Sequence, residues 1–246
     1  MKYLHEILEG ITSQFDNKRS QFLDMFHKKQ LKYMNNLSEI KFYKVNEPFG
    51  QFSNFSPHSI YLDDKVWKTV EHYFQANKFI DQEIQERLRR IDSPMKAAEF
   101  GRDRTNTIRS DWDNIKEDVM YRAVKTKFLQ HINLQKLIIE TGDAVLIEHT
   151  KNDSYWGDGG NGSGKNKLGQ ILMKIREELK YLKYDINIIL PLWIAYPSID
   201  KEDMFWRMGG GESYLMKWYD SFVNTDQVAY REKFPEPENW QGFYDS

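Results

Sequence analysis

Two carboxylates stand beside aromatic residues in this sequence. Glu71 follows Trp67 at the start of a predicted helix, and Asp153 lies in the stretch KNDSYWGDGG. Two carboxyl groups in one pocket, one of them protonated because its surroundings are apolar, can split a glycosidic bond. One protonates the leaving base or activates water, and the other stabilises the oxocarbenium-like sugar. Spacing alone also permits structural roles. In these, Glu71 interacts with the dipole at the start of its helix, and Asp153 caps a loop.

A glycine-rich loop, GDGGNGSGKNKLG, runs from Gly157 to Gly169 and approaches the pattern G-x-x-x-x-G-K-[ST]. Asn166 occupies the last position, where that pattern needs a hydroxyl for magnesium, and the preceding segment is polar rather than a buried strand. The sequence therefore argues against a nucleoside triphosphatase. Glycine amides at the start of a helix still favour an anion, which is the role predicted for this loop.

The composition limits the chemistry further. The chain has 246 residues, no cysteine and a net charge of −2, so disulfides and thiolate metal sites are excluded and no global charge attracts nucleic acid. No two histidines stand at metal-ligand spacing and no G-x-S-x-G motif occurs, so neither a metal nor another cofactor is predicted. No long apolar run or secretory leader is present, which predicts a soluble cytoplasmic protein without membrane partners.

Aromatic residues make up 15% of the chain, and several lie beside Gly, Asn and Asp, as in FGQFSNFSP and NDSYWGDGG. Rings on polar loops are candidates for stacking on a flat ligand. They equally fit a second interpretation, in which they fill the core beneath long loops.

The periodicity of the sequence predicts the elements that would position these groups. Residues 1–38 read as a helical amino-terminal extension and 184–246 as an accessory, irregular carboxy-terminal region. Between them, HSIYLDDKVW predicts a hairpin that turns at two aspartates, and Thr69 is placed to cap a helix whose first turn contains Glu71.

Further helices are predicted on both sides of the glycine-rich loop. One starts at Ser93 and Pro94 and ends at Gly101, and a long amphipathic one is capped by Asp111. A short helix closes at Gly142, AVLIEHT forms a buried strand, and an apolar stripe after the loop marks another helix.

Five motifs in a fixed order carry a family resemblance: FGQFSNFSP, VWKTVEHYFQANKF, SPMKAAEFGR, RSDW, and LIEHTKNDSYWGDGGNGSGKNKLGQILMKIR. Together they resemble the YbiA-like family, also called the NADAR domain family, from about residue 40 to about residue 182. The resemblance implies a single α/β (α+β) domain over residues 39–183, mainly helical, with N-glycosidase activity. Some members act on phosphorylated intermediates of riboflavin biosynthesis. Others remove ADP-ribose from modified guanine in DNA or RNA, sometimes as antitoxin to a cognate ADP-ribosyltransferase toxin.

The resemblance also implies roles for individual residues. Glu71, Trp112 and Asp153 match the family's catalytic motifs. Lys96 is ambiguous, because it could pair with a phosphate, attack C1′ to give a Schiff base if it is buried, or simply be an exposed helical lysine. The ligand pocket is expected to include Asn54, Phe55, Arg102, Asn152, Trp156, Gly157, Gly164, Lys165 and Asn166, with Arg102 and Lys165 holding phosphate and the loop seating a phosphate or pyrophosphate.

Two hypotheses about function follow. The first is a metal-independent N-glycosidase, most directly one that removes ADP-ribose from guanine, with the riboflavin intermediates as the alternative substrate. The second is a module that binds ADP-ribose or a nucleotide without cleaving it, although recognition alone would not require both carboxylates. A local patch of Lys151, Lys165 and Lys167 is a candidate contact for nucleic acid.

Overall fold

The computed structural model describes residues 37–183 and 185–245, so the helical extension predicted for residues 1–38 lies almost wholly outside the described residues. The strands are β1 (Glu39–Phe42), β2 (Ile60–Leu62), β3 (Lys65–Trp67) and β4 (Val145–Glu148). The helices are α1 (Val70–Ala76), α2 (Gln82–Arg90), α3 (Pro94–Arg102), α4 (Trp112–Gln130), α5 (Ile132–Glu140), α6 (Lys167–Leu182), α7 (Leu192–Ala195), α8 (Gly209–Val223) and α9 (Gln227–Lys233). The chain is therefore a mixed α and β protein in which helices dominate, as the sequence predicted.

The described strands form two small sheets. β1 and β4 pair in parallel, with Glu39 opposite Val145, and β2 and β3 form an antiparallel hairpin. Asp63 and Asp64 both adopt left-handed backbone conformations with φ of 52° and 57°, which is the geometry of a two-residue hairpin turn. The predicted hairpin is confirmed.

Helix α1 lies at the centre of the domain, where it packs against β3, α2, α3 and α4. It begins where predicted, because the Thr69 side chain accepts a hydrogen bond from the amide of His72. Every residue of α1 is buried, including Glu71, His72 and Gln75. A helix of this kind must satisfy its polar side chains inside the protein, and Glu71 in its first turn is one of them.

Gly101 has a different role from the predicted one. Helix α3 continues to Arg102, so Gly101 lies inside the helix rather than ending it. A Cβ atom at Gly101 would lie 1.8 Å from Oε1 of Gln75 on the neighbouring α1. The glycine is therefore needed for close contact between two helices, which local sequence cannot distinguish from a helix stop.

The remaining elements of the domain follow the predicted order. Helix α5 closes at Gly142, which has a φ of 61°, and β4 leads into the glycine-rich loop and α6. Asp111 precedes α4, but its side chain makes no capping bond. Instead its two carboxylate oxygens accept hydrogen bonds from Arg109 at 2.6 and 2.9 Å. This part of the prediction was wrong because the neighbouring guanidinium takes the carboxylate.

The carboxy-terminal region is more regular than predicted, since it contains α8 and α9 and shares the core of the domain. Gln130 of α4 donates to the backbone oxygen of Ala195 across this junction. The described part of the region is held by buried rings, among them Trp206, Trp218 and Trp240. Division of the chain at residues 38 and 183 stays a prediction. In the two described ranges, no helix combines the length and apolar character needed to cross a bilayer.

Candidate active site

Glu71 is a buried carboxylate with a raised pKa. Its side chain is 6% exposed, and Gln75, one turn along α1, donates a hydrogen bond to its Oε1 at 2.6 Å. Burial raises the pKa of Glu71 to about 7, and the nearby Asp153 raises it further, while Gln75, Lys78 and Arg102 act in the opposite direction. Glu71 therefore exchanges its proton near neutral pH, as an acid or base catalyst must.

Two further carboxylates act on Glu71 through space. Glu148, at the end of β4, has its pKa raised to about 8 by burial first and then by Asp153, Glu71 and Asp158. The Oδ1 atom of Asp153 accepts the amides of Tyr155 and Trp156, both at 2.7 Å. The structure thus brings the two predicted carboxylates together and adds a third, Glu148. Across the described residues, no three acidic or histidine side chains meet at metal-ligand spacing.

Aromatic rings form a wall beside the carboxylates. Phe74 of α1 contacts the ring of Trp112 at 5.0 Å and that of Trp156 at 5.4 Å between centroids. Trp112 is the first residue of α4, and Arg109 fixes this helix start because its amide donates to the backbone oxygen of Lys78. Trp112 and Trp156 are each partly exposed. Both predicted tryptophans therefore lie on one wall with accessible edges.

The cation beside Glu71 is Lys78, not Lys96. Lys78 donates to the backbone oxygen of Gly101 at 3.1 Å and lies 6.0 Å from the Trp112 ring centroid. Burial lowers the pKa of Lys78, Glu71 opposes this change, and Arg104 and Arg102 add to it.

Lys96 is exposed on α3, and the carboxylate on which it acts is Asp92. The burial that a nucleophilic Lys96 would need is absent, so that interpretation of Lys96 was wrong. Arg102 keeps its predicted place, since its charge acts on both Glu71 and Lys78.

Asn54 lies next to the catalytic helix. Its backbone oxygen accepts the amide of Glu71 at 3.2 Å, and its side-chain Nδ2 contacts the sulfur of Met120. The Oδ1 atom is buried and has no hydrogen-bond partner in the described chain. An orphaned buried oxygen at this position fits a ligand contact. Phe55 follows it, partly exposed, with its amide bonded to Ser53.

A fully buried lysine holds the segment that carries Asn54. Lys127 of α4 is 0% exposed and donates to the backbone oxygens of Gln51 and Ser53 and to the hydroxyl of Ser56, at 2.7 to 3.0 Å. Its three donors are thus fully used by the loop. Lys127 positions the Asn54 loop against α1.

The glycine-rich loop closes on itself instead of presenting its amides. Asp153 and Asp158 accept many of them, and the backbone oxygens of residues 154–157 accept those at the start of α6. The amides donated in this way belong to Gly159, Gly160, Gly162, Gly164, Lys165, Asn166, Lys167 and Leu168, and the amide of Ser163 donates to the side chain of Asn161. The predicted anion seat built from freed amides was therefore wrong, because these donors stabilise the loop.

Three predicted pocket residues have structural partners within this loop. A Cβ atom at Gly157 would lie 2.8 Å from the oxygen of Glu148, and one at Gly164 would lie 2.5 Å from the oxygen of Gly157. Asn166, which has a φ of 48°, accepts the amide of Glu148 and donates to the oxygen of Leu146. These residues fasten the loop to β4 and so fix the carboxylate of Glu148.

The remaining predicted contacts lie at the surface. Asn152 is exposed and donates to the hydroxyl of Tyr43, and Lys165 lies 5.0 Å from the ring centroid of Tyr155. Lys167 pairs with Glu117 at 3.0 Å, which removes it as a free cation. The predicted lysine patch is therefore smaller than expected, with Lys151 and Lys165 exposed on the loop.

Sequence reasoning missed Glu148, Lys78 and Lys127. A signal existed for Glu148, because it is the one charged residue inside the otherwise apolar stretch AVLIE. Lys78 lies on the same predicted helical face as Glu71, seven residues along the chain. No local signal separates the buried Lys127 from the exposed lysines of its amphipathic helix.

Comparisons with known proteins identify the family of this chain. Residues 41–180 match the model of the NADAR domain. The chain is 51% identical over 140 residues to the N-glycosidase YbiA of Escherichia coli, covering 57% of this chain and 88% of that protein. It is 46% identical over 146 residues to an N-glycosidase of Nostoc punctiforme, covering 58% and 94%.

Two further relatives complete the comparison. The maize chloroplastic riboflavin biosynthesis protein PYRR is 42% identical over 155 residues, covering 57% of this chain and 25% of that protein. The NMR structure of Escherichia coli YbiA superposes with a TM-score of 0.57 at 49% identity, covering 61% of this chain and 89% of that one.

Proposed function

The chain belongs to the NADAR domain family, and we propose that it is an N-glycosidase that hydrolyses the C–N bond between a ribose and a base. Its most similar relatives reported above carry that activity in their names. The observation that carries the proposal is the carboxylate cluster of the buried Glu71 and the partly exposed Glu148 and Asp153. Two members of the cluster have pKa values raised to about 7 and about 8, so a proton is available at neutral pH.

Two of the carboxyl groups, Glu71 and Asp153, divide the reaction between them. Glu71 donates its proton to the base nitrogen as the C–N bond breaks and the bonding electrons leave with the base. Asp153 stabilises the oxocarbenium-like ribose and takes a proton from the water whose oxygen bonds to C1. Burial first, and the negative charge of Asp153 in addition, raise the pKa values of Glu71 and Glu148 and so favour their protonated forms.

The aromatic wall would hold the leaving base. Trp112 and Trp156 both contact Phe74, which follows Glu71 by three residues on α1, and both are partly exposed, so a flat base can lie against them. Stacking of a base on an aromatic side chain stabilises binding by about 1–3 kcal/mol. Asn54, whose Oδ1 is buried without a partner, would accept a hydrogen bond from the substrate.

The cations suggest the substrate class. Lys78 and Arg102 act on Glu71, Arg104 and Arg102 act on Lys78, and the two arginines are exposed. Three neighbouring positive charges suit a diphosphate, which favours ADP-ribose attached to guanine in nucleic acid as the substrate. A phosphorylated riboflavin intermediate is the second candidate, favoured by the name of the maize relative. A partnership with an ADP-ribosyltransferase toxin and a cytoplasmic location stay predictions.

Mass spectrometry of the products tests the proposal. Purified protein is incubated with DNA that contains ADP-ribosylated guanine and, separately, with the ribosylamino-pyrimidine phosphate of riboflavin biosynthesis. Release of ADP-ribose from the DNA supports the first substrate, and release of the pyrimidine base supports the second. The Glu71→Gln variant is the matched control, since it keeps the side-chain shape and should lose about 10²-fold in turnover.

The non-catalytic alternative has its own outcome in the same experiment. If neither substrate is cleaved while ADP-ribose binds wild type and Glu71→Gln equally, the protein is a binding module and the N-glycosidase proposal is refuted. If both substrates are cleaved, the reaction class stands and the ratio of kcat/KM values decides between them.

A further inference from the structure

A cavity apart from the candidate active site lies at the junction between the domain and the carboxy-terminal region. Its volume is about 630 Å³, which is within the range of small-molecule sites. None of the three clustered carboxylates lines it. Much of its wall comes from residues 189–217, outside the part of the chain that matches the family model. The cavity is therefore a feature of this chain's own carboxy-terminal extension.

Two helices provide opposite walls of the cavity. Ile132, Asn133 and Lys136 line it from α5, at the spacing of one helical face. The α8 helix contributes Gly210, Ser213, Tyr214 and Lys217, which also share one face. A ligand in the cavity would thus contact the catalytic domain and the extension together.

The charged side chains that line the cavity are basic. Among the described residues, no Asp or Glu side chain lines the cavity, although the chain has slightly more acidic than basic residues. Lys217 has no hydrogen bond or ion pair within the described ranges, and Lys136 makes one long contact with Asn187 at 3.4 Å. The ammonium of Lys136 also helps burial to lower the pKa of the neighbouring Lys183 to about 8. Among the described lining residues, no carboxylate therefore balances the charges of Lys136 and Lys217.

The other end of the cavity is aromatic. The Phe205 ring lies 5.4 Å from Tyr61 and 5.0 Å from Tyr196, and Tyr196 lies 5.3 Å from Tyr214. Tyr196 is 6% exposed, yet its hydroxyl has no hydrogen-bond partner in the residues described. Burial raises the pKa of Tyr196 to about 12, so this hydroxyl keeps its proton and remains available as a donor. A hydroxyl donor beside neighbouring rings suits a ligand that carries an aromatic group.

We propose that this cavity binds a small anion that carries an aromatic ring, of the nucleoside monophosphate class. The phosphate lies between Lys136 and Lys217. The base lies against Tyr61 and Phe205, and the Tyr196 hydroxyl donates to it. This inference is separate from the proposed N-glycosidase reaction, because it uses none of the residues assigned to that reaction.

Isothermal titration calorimetry with adenosine 5′-monophosphate tests the site. A Cβ atom at Gly210 meets nothing within 4 Å and the glycine lines the cavity, so a larger side chain enters the open space without displacing protein atoms. Gly210→Leu should weaken binding at least tenfold. Gly210→Ala is the matched control, since it changes the backbone freedom equally but leaves the space open, and it should bind within about twofold of wild type.

Two further variants and two further ligands test the chemistry. Lys217→Met should weaken the nucleotide about fivefold or more, and Tyr196→Phe should weaken it by a smaller factor while keeping the ring. Adenosine alone and inorganic phosphate alone should each bind more weakly than the nucleotide. These two side-chain changes also decide the question if Gly210→Leu fails to fold.

Each other outcome overturns the inference. Absence of nucleotide binding to the wild type refutes it. Equal affinity in Gly210→Leu and Gly210→Ala would mean that the nucleotide binds elsewhere, including at the carboxylate cluster. Unchanged affinity in both Lys217→Met and Tyr196→Phe would remove the chemical basis of the site.

Discussion

Replacing Glu71 with glutamine should stabilise the protein at neutral pH while it removes activity. Burial raises the pKa of Glu71 from 4.5 to about 7. The folded protein therefore binds the proton more tightly than the unfolded chain, and ionised Glu71 costs stability. A tenfold change in proton affinity corresponds to about 1.4 kcal/mol, so the cost amounts to about 3 kcal/mol at and above pH 7.

The sign of this effect fixes its pH dependence. Below about pH 4.5 the carboxyl group is protonated in both states, and the charge makes no difference between wild type and variant. Between pH 4.5 and 7 the stability of the wild type falls relative to Glu71→Gln, and above pH 7 the difference is constant. The glutamine keeps an oxygen that accepts the hydrogen bond from Gln75, so the local packing is preserved.

Thermal unfolding at pH 5 and pH 8 measures the difference. An increase of about 3 kcal/mol at pH 8 corresponds to a rise in Tm of about 6–12 °C for a chain of this size. Glu83→Gln is the control, because Glu83 is also in the first turn of a helix but is exposed, and it should change stability by less than about 0.5 kcal/mol. A Glu71→Gln variant that is equally destabilised at both pH values would refute the reasoning.

Further predictions concern the groups around Glu71. Gly101→Ala should displace Gln75 and remove the hydrogen bond that lowers the pKa of Glu71. The alkaline limb of the pH–turnover profile should then move to higher pH, and an unmoved limb would contradict the role of Gln75. Lys78→Met should lower kcat/KM at least tenfold, whereas Lys96→Met should leave it unchanged. Steady-state kinetics that show the reverse would place Lys96 in the site instead. Trp112→Ala should raise KM about tenfold through lost stacking, and an unchanged KM would place the base elsewhere.

Local elements of the domain were predictable because their determinants are local. The Asp63–Asp64 turn, the Thr69 cap and the apolar stripe of α6 depend on neighbours within a few residues, and the structure confirms each. The role of Gly101 was predicted wrongly, because the need for glycine there comes from the side chain of Gln75 on a different helix. Helix termination and close packing both select glycine, and a single sequence does not separate them.

The residues of the candidate site show the same distinction between local and distant determinants. Glu71 and Asp153 were identified from the sequence, and the structure brings them within electrostatic range of each other. Glu148 and Lys78 were missed, because their importance comes from burial and from charges distant in sequence. The loop from Gly157 to Gly169 was predicted to bind an anion from its glycines alone, whereas its amides are donated within the loop.

That closed loop has a consequence for how the site moves. A segment without helix or strand would ordinarily exchange its amide hydrogens within seconds, but donors bonded to Asp153, Asp158 and the chain before α6 are protected. Exchange there should be slow in the absence of ligand and change little when one binds. The loop therefore behaves as part of the rigid frame around the clustered carboxylates.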